Sequence, residues 1–112
     1  MLVRTAMLVG NLPLPTLSGV AFSGVFVPND GGGEFAIVYS VTNAAGGEYV
    51  TVQWAVTGTH PAGTTNGPYS ASPTSPPINT PLYTGDIIDA TVRLYSATAN
   101  LLDTVTLSPY NC

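Results

Sequence analysis

The sequence predicts an all-β protein: an antiparallel β-sandwich of about seven strands with an extended N-terminal arm. Three observations lead to this prediction. Apolar and polar residues alternate in several segments, Gly and Pro separate these segments at short intervals, and no window has apolar residues at helical spacing. The 112 residues suffice for one domain with one core. We expect the arm at residues 1–17 and the sandwich at residues 18–112.

Alternation is clearest at residues 48–58, where one face carries Trp54 among three valines. The same pattern predicts strands at 34–43, 87–96 and 101–108, and SGVAFSGVFVP predicts a further strand near the N-terminus. The residues expected to point inward are Val20, Phe22, Phe26, Phe35, Ile37, Tyr39, Val41, Val50, Val52, Trp54, Val56, Ile88, Ala90, Val92, Leu94, Leu101, Val105 and Leu107.

The segment between Thr57 and Pro81 is rich in proline, with six of the ten prolines lying between Pro61 and Pro81. Proline has no N–H group to donate to a sheet, so this segment cannot supply a central strand. We expect a long irregular loop with a tight turn at Asn66-Gly67, and a short edge strand within INTPLY.

Three consecutive glycines occur in FVPNDGGGEFAIVYSV. A glycine loop that binds phosphate opens a helix, whereas this run leads into a predicted strand, and the chain has no lysine to reach a phosphate. Asp30 and Glu34 flank the run but do not complete the ligand pattern of a calcium loop. The glycines are therefore expected to turn the chain in a hairpin, and we expect no metal or cofactor.

No set of residues has the composition of a catalytic site. His60 is the only histidine, and catalysis would need a nucleophile or a second group oriented beside it. A hydrolase with paired carboxylates would need two acids facing one cleft. We expect Asp86, Asp89 and Asp103 to be surface charges or structural partners instead, for example Arg93 with Asp103 across two strands. The chain is predicted not to be an enzyme.

Charge is scarce: only 7% of the residues are charged, against roughly a quarter in typical soluble domains. Residues 5–29 and 49–85 contain no Asp, Glu, Lys or Arg. With two arginines and a net charge of −4, the chain is not expected to bind nucleic acid or anionic membranes. Surfaces that meet partners permanently are depleted in charge, so we expect burial in an assembly. The alternative is a neutral Thr/Ser/Gly surface that binds nothing.

The apolar N-terminal arm could add a strand to the exposed sheet edge of a neighbouring molecule. Tyrosine is a preferred interface anchor because it offers a large contact area with little rotamer entropy, although the same rings could stack on a sugar. The single cysteine, Cys112, is expected to be an unreactive thiol or a link between two chains. Interface contacts are expected at Leu2, Val3, Met7, Leu8, Leu12, Leu14, His60, Tyr69 and Tyr83.

The segment PLYTGDIIDATVRLYSATANLLDTVTL resembles the last two strands of immunoglobulin-like or fibronectin type III-like domains. In those domains a Leu-x-x-Gly turn introduces a strand of alternating residues, and Leu82 and Gly85 fit this turn. Trp54 is similar to the core tryptophan of these sandwiches. The resemblance covers about half of the chain and implies an immunoglobulin-like β-sandwich, but no reaction, because such sandwiches host many functions.

Together these features predict a structural subunit that is not an enzyme. A bacteriophage virion component, such as a capsid decoration or head–tail accessory protein, fits best, with further copies or a major capsid protein as partners. Asn11, Pro13 and Pro15 interrupt the N-terminal apolar run, so we expect no signal peptide, synthesis in the host cytoplasm and localisation in the virion. The alternatives are a secreted filament or surface-layer subunit, located outside the cell or on its surface, and a carbohydrate-binding module using Tyr69 or Tyr83.

Overall fold

The computed structural model describes residues 13–71 and 75–112, and the regular structure in this part of the chain is all β. It contains eight strands. They are β1 (Thr16–Phe26), β2 (Glu34–Thr42), β3 (Tyr49–Thr57), β4 (Ala62–Ser70), β5 (Ile78–Asn79), β6 (Ile87–Tyr95), β7 (Leu101–Thr106) and β8 (Tyr110–Asn111). The predicted all-β class is confirmed, and the strands predicted at 34–43, 48–58, 87–96 and 101–108 correspond to β2, β3, β6 and β7.

The strands form two antiparallel sheets, which is compatible with a β-sandwich. The first sheet has the order β1-β2-β5, and the second has the order β4-β3-β6-β7 with β8 also beside β6. Strand β1 lies against β6 and β7 of the other sheet. Strand β8 continues the direction of β7, because Thr106 lies opposite Thr91 and Tyr110 lies opposite Ile88 further along β6.

The core lies between the two sheets and is built from the alternating residues of β2, β3 and β6. Phe35 of β2 meets Trp54 of β3 edge to face, with ring centroids 5.6 Å apart. The indole N–H of Trp54 donates to Asn66 Oδ1 at 2.6 Å, so its one polar group is satisfied. The buried apolar residues are Leu17, Phe35, Ile37, Tyr39, Val50, Val52, Trp54, Val56, Ile78, Leu82, Ile88, Ala90, Val92 and Leu94.

Two bulges in β1 change which residues face the core. The tripeptide Ser-Gly-Val occurs twice in this strand, and the glycines Gly19 and Gly24 have φ values of 61° and 57°. The pairing with β2 shifts by one residue at each of these glycines, as an extra residue in a bulge requires. The prediction that Phe26 faces inward is therefore wrong. Its side chain is 57% exposed, and Val25 packs against the core instead.

A similar shift at the start of β7 reverses another expectation. The register with β6 slips between the pairs that involve Leu94 and Tyr95. Leu101, predicted to point inward, is 54% exposed, while its neighbour Leu102 packs against the core. One extra residue in a strand moves the following side chains to the opposite face.

Asp103 joins the two sheets rather than pairing with an arginine. Its Oδ2 accepts a hydrogen bond of 2.8 Å from the backbone N–H of Leu17 in β1. Asp103 lies opposite Leu94, whose side chain is buried, so its carboxylate is directed towards the facing sheet. The predicted pair with Arg93 is wrong, because Arg93 donates to Gln53 Oε1 at 2.7 Å on the outer face.

The prediction of an irregular loop over 57–81 is also wrong in part. Ala62–Ser70 forms β4, the outermost strand of the larger sheet, and Ile78–Asn79 forms the short edge strand predicted within INTPLY. Pro68 is accommodated because the pairing of β4 with β3 shifts between Asn66 and Tyr69, so that Gly67 and Pro68 lie in a bulge. Bulges and edges are the places where a sheet tolerates proline.

Glu48 is a buried acid that orders the connection between β2 and β3. Only 7% of the residue is exposed, and its carboxylate accepts hydrogen bonds from the backbone N–H groups of Ala45 and Gly46. Burial is the largest influence on the pKa of Glu48 and raises it, but the hydrogen bonds from the backbone together outweigh burial and hold this pKa below its ordinary value.

We predict that Glu48→Gln lowers the free energy of unfolding at neutral pH by about 1 kcal/mol, because a charged acceptor of backbone N–H groups is lost. Since the folded-state pKa of Glu48 is lowered, its contribution is present above the ordinary pKa and disappears as the pH falls through the folded-state pKa. Denaturant titrations between about pH 7 and about pH 3 should show the difference from the unmodified chain shrinking. Glu34→Gln is the matched control. A difference that does not change with pH would contradict this role.

Candidate functional site

The residues predicted to make intersubunit contacts fall into three groups. Leu2, Val3, Met7, Leu8 and Leu12 lie outside the described residues. Leu14 is half-buried and lies two residues before the start of β1. The third group lies in the second half of the domain. It consists of His60 just before β4, Tyr69 within β4 and Tyr83 shortly before β6.

His60 and Tyr83 are brought together by the fold. His60 is exposed in the hairpin between β3 and β4, and Tyr83 lies in the turn that precedes β6. Their rings stack with centroids 5.2 Å apart and planes inclined by 25°. They form an aromatic pair at the end of the domain that also carries the glycine run.

Tyr69 does not join this pair. It lies near the far end of β4, opposite Val50, and packs against the core as a half-buried residue. The neighbouring Tyr39 donates its hydroxyl to the carbonyl oxygen of Ser70 at 3.0 Å. Burial raises the pKa of Tyr39, and the proximity of Tyr69 raises it further. The environment of Tyr69 is therefore that of a packing residue.

Asp86 holds the His60–Tyr83 end of the domain together from inside. It is 1% exposed, and its two carboxylate oxygens accept hydrogen bonds from the backbone N–H groups of Thr59 at 3.0 Å and Tyr83 at 2.9 Å. The N–H of Cys112 donates to the carbonyl oxygen of Asp86 at 2.8 Å. One aspartate thus connects a hairpin, a turn and the C-terminal residue.

The thiol of Cys112 lies in this neighbourhood. Burial raises the pKa of Cys112, and the negative charge of Asp86 raises it further. A thiol with a raised pKa is a weak nucleophile at neutral pH, because only the thiolate attacks. Slow reaction with alkylating agents is therefore expected of this group.

The glycine run closes the β1–β2 hairpin, as predicted, and it also continues the pairing with the chain after β5. Thr80 N–H donates to the carbonyl oxygen of Gly33, and Leu82 N–H donates to that of Gly32, each at 3.1 Å. Asp30 Oδ1 accepts from the N–H of Gly32 at 3.1 Å. A shallow cleft of about 330 Å³ is lined by Gly31, Gly32, Gly33, Asn79, Thr80 and Pro81.

A stacked pair on the outer face of the larger sheet was missed in the sequence. Tyr49 and Tyr95 lie opposite each other on β3 and β6, with ring centroids 5.2 Å apart and planes inclined by 14°. The alternation placed both side chains outward, but it did not give the register that makes them neighbours. An alignment of β3 with β6 in antiparallel register would have placed Tyr49 opposite Tyr95.

Within residues 13–71 and 75–112, no three His, Cys, Asp or Glu side chains gather as a metal site would require. The same stretches contain no helix of the length and apolarity needed to cross a membrane. A scan against models of protein families finds no match, and neither do searches of curated proteins and of solved structures.

We predict that Gly33→Ala lowers the free energy of unfolding by about 1–3 kcal/mol, because Gly33 has a φ of 151° and a Cβ there would lie 2.6 Å from the carbonyl oxygen of Thr80. Gly32→Ala is the matched control and should change stability by less than about 0.5 kcal/mol, since its nearest contact would be an ordinary 3.4 Å. Urea denaturation of both variants is the measurement. An equal loss of unfolding free energy in the two variants would contradict a specific need for glycine at position 33.

Proposed function

We propose that this chain is a non-enzymatic structural subunit of a larger protein assembly, and that a bacteriophage virion accessory protein is the form it takes. One observation carries the proposal: the chain has few charged groups, and two of its six acidic residues, Glu48 and Asp86, are buried. Four of the six acidic residues accept hydrogen bonds from backbone N–H groups, namely Asp30, Glu48, Asp86 and Asp103. The surface is therefore even poorer in free charge than the composition indicates.

A surface of this kind favours association. Net charge and dispersed like charges keep soluble proteins apart, and here two of the acidic groups, Glu48 and Asp86, are buried. The exposed faces of β1 and β4 consist mainly of Thr, Ser, Gly and Ala. Interfaces that form permanently are depleted in charged residues at their centres, so these faces suit contact with other subunits.

The scaffold we propose is an immunoglobulin-like sandwich. In such domains strands A, B and E lie in one sheet and strands C, F and G in the other. The orders β1-β2-β5 and β4-β3-β6-β7 support this assignment if β4 is the extra strand beside strand C. Trp54, buried on β3, then occupies the strand that carries the core tryptophan in that family.

Two alternatives remain as competing proposals with different support. A secreted filament or surface-layer subunit would use the same neutral surface, and it differs in predicting fibres instead of discrete particles. A carbohydrate-binding module is less well supported, because the ring of Tyr83 is stacked on His60 and Tyr69 packs against the core. Sugar stacking needs an aromatic face that is free.

We predict that the full chain forms oligomers in solution and that removing residues 1–12 reduces their size, as measured by light scattering. The deletion has to stop before β1, because Leu17 is buried in the core and bound to Asp103. The matched variant keeps the length of the arm and replaces its large apolar residues Leu2, Val3, Met7, Leu8, Val9 and Leu12 by serine.

The expected result is that deletion and serine replacement weaken assembly to the same degree, since the apolar side chains are what the arm contributes. Discrete particles would favour the virion form and fibres the filament form. A 112-residue chain that stays monomeric at all concentrations would contradict self-assembly.

A further inference from the structure

The open edges of the two sheets differ in how well they are protected from pairing with another chain. Natural edge strands are blunted by bulges, charges or short length, because their free N–H and C=O groups otherwise recruit a further strand. Strand β1 carries two bulges, β5 has only two residues, and β7 has a register shift and the acidic Asp103. Among the described residues, β1, β5 and β7 thus each carry a feature that protects the edge.

Strand β4 also has a bulge and a proline, but only at Gly67 and Pro68, and the residues before them lack such protection. It ends the larger sheet, and among the described residues β3 is the only strand beside it. Five consecutive residues, Ala62 to Asn66, pair with β3 without any shift before the bulge at Gly67 and Pro68. Four of these five, Ala62 to Thr65, are exposed. No charged residue lies in β4, or anywhere between residues 49 and 85.

We infer that β4 is the interface at which two copies of this chain pair edge to edge, in antiparallel orientation, with the two-fold axis at Thr64. This inference rests on the proposed function and specifies one contact of the assembly. Thr64 of one copy then faces Thr64 of the second, Gly63 faces Thr65, and Ala62 faces Asn66. The two larger sheets become one continuous sheet, and the interface is the same on both sides.

The sequence of β4 suits a second copy as the occupant. In a two-fold antiparallel pair the residue on the axis meets itself, so a charge there would be repelled by its own copy. A threonine on the axis offers a hydroxyl that both donates and accepts. The small Gly63 opposite Thr65 leaves room for the threonine side chain. The charged Asp89 and Arg93 belong to β6, two strands away from the edge.

The size of the contact sets its strength. An edge pairing of five residues lies at the low end of specific interfaces, so it is expected to be weak and dependent on concentration. Within an assembly, the arm contacts raise the effective concentration of the two edges and make the weak contact persistent. The arm therefore does not have to occupy β4. The arm contacts and the contact between two β4 strands operate together in the assembly.

The test uses the full chain with Cys112→Ser as the background and Thr64→Cys as the probe. Under mild oxidation, a cysteine on the two-fold axis should form a disulfide-linked dimer much faster than a cysteine elsewhere. Thr104→Cys is the matched control, because Thr104 is an exposed threonine on β7 at the opposite side of the same sheet. Near-ultraviolet circular dichroism confirms that each variant is folded.

Charge exchange provides the second measurement. Thr64→Lys and Thr64→Glu should each lose the dimer contact, and an equal mixture of the two should recover it, because opposite charges then meet on the axis.

If light scattering shows assembly but Thr64→Cys cross-links no faster than Thr104→Cys, the β4 contact is refuted while the proposed function stands. Cross-linking at position 64 that appears only after residues 1–12 are removed would identify the arm as the occupant and also overturn it. A chain that never assembles would overturn both proposals.

Discussion

The structure depends on carboxylates that bind backbone N–H groups. Asp86 holds a hairpin and a turn together, Glu48 orders the β2–β3 connection, and Asp103 ties β1 to the facing sheet. Each bond satisfies donors that would otherwise lose their water on folding, and a charged acceptor makes such bonds stronger than neutral ones. Because the chain has so few charged residues, using acids in this way leaves little charge for its surface.

This internal use of charge connects the fold to the proposed function. An exterior poor in charge is compatible with a stable domain, since the core between the sheets supplies the burial of apolar surface. The same exterior gives weak repulsion between copies. Sheet edges then decide where contact occurs, and the bulges of β1 contrast with the first five residues of β4, which are neutral and pair without a shift. The proposals for assembly and for the β4 contact both follow from this contrast.

The sequence predicted the strands of the core well, because residues such as Val52 and Val92 alternate without interruption between polar neighbours. It predicted the faces of Phe26 and Leu101 wrongly, because a bulge adds a residue and the pattern does not show where. Strand β4 escaped detection since a neutral edge strand with little burial lacks alternation. The stacking of His60 on Tyr83 was also beyond the sequence, because it depends on two loops meeting at one end of the sandwich.

The most direct test of the central claim, that this charge-poor domain is a subunit of an assembly, is the molar mass of the unmodified chain by light scattering at increasing protein concentration and at low and high salt. Assembly through neutral surfaces predicts a mass above that of one 11.5 kDa chain, rising with concentration and not reduced by salt. A mass that remains at one chain under all of these conditions would contradict the claim.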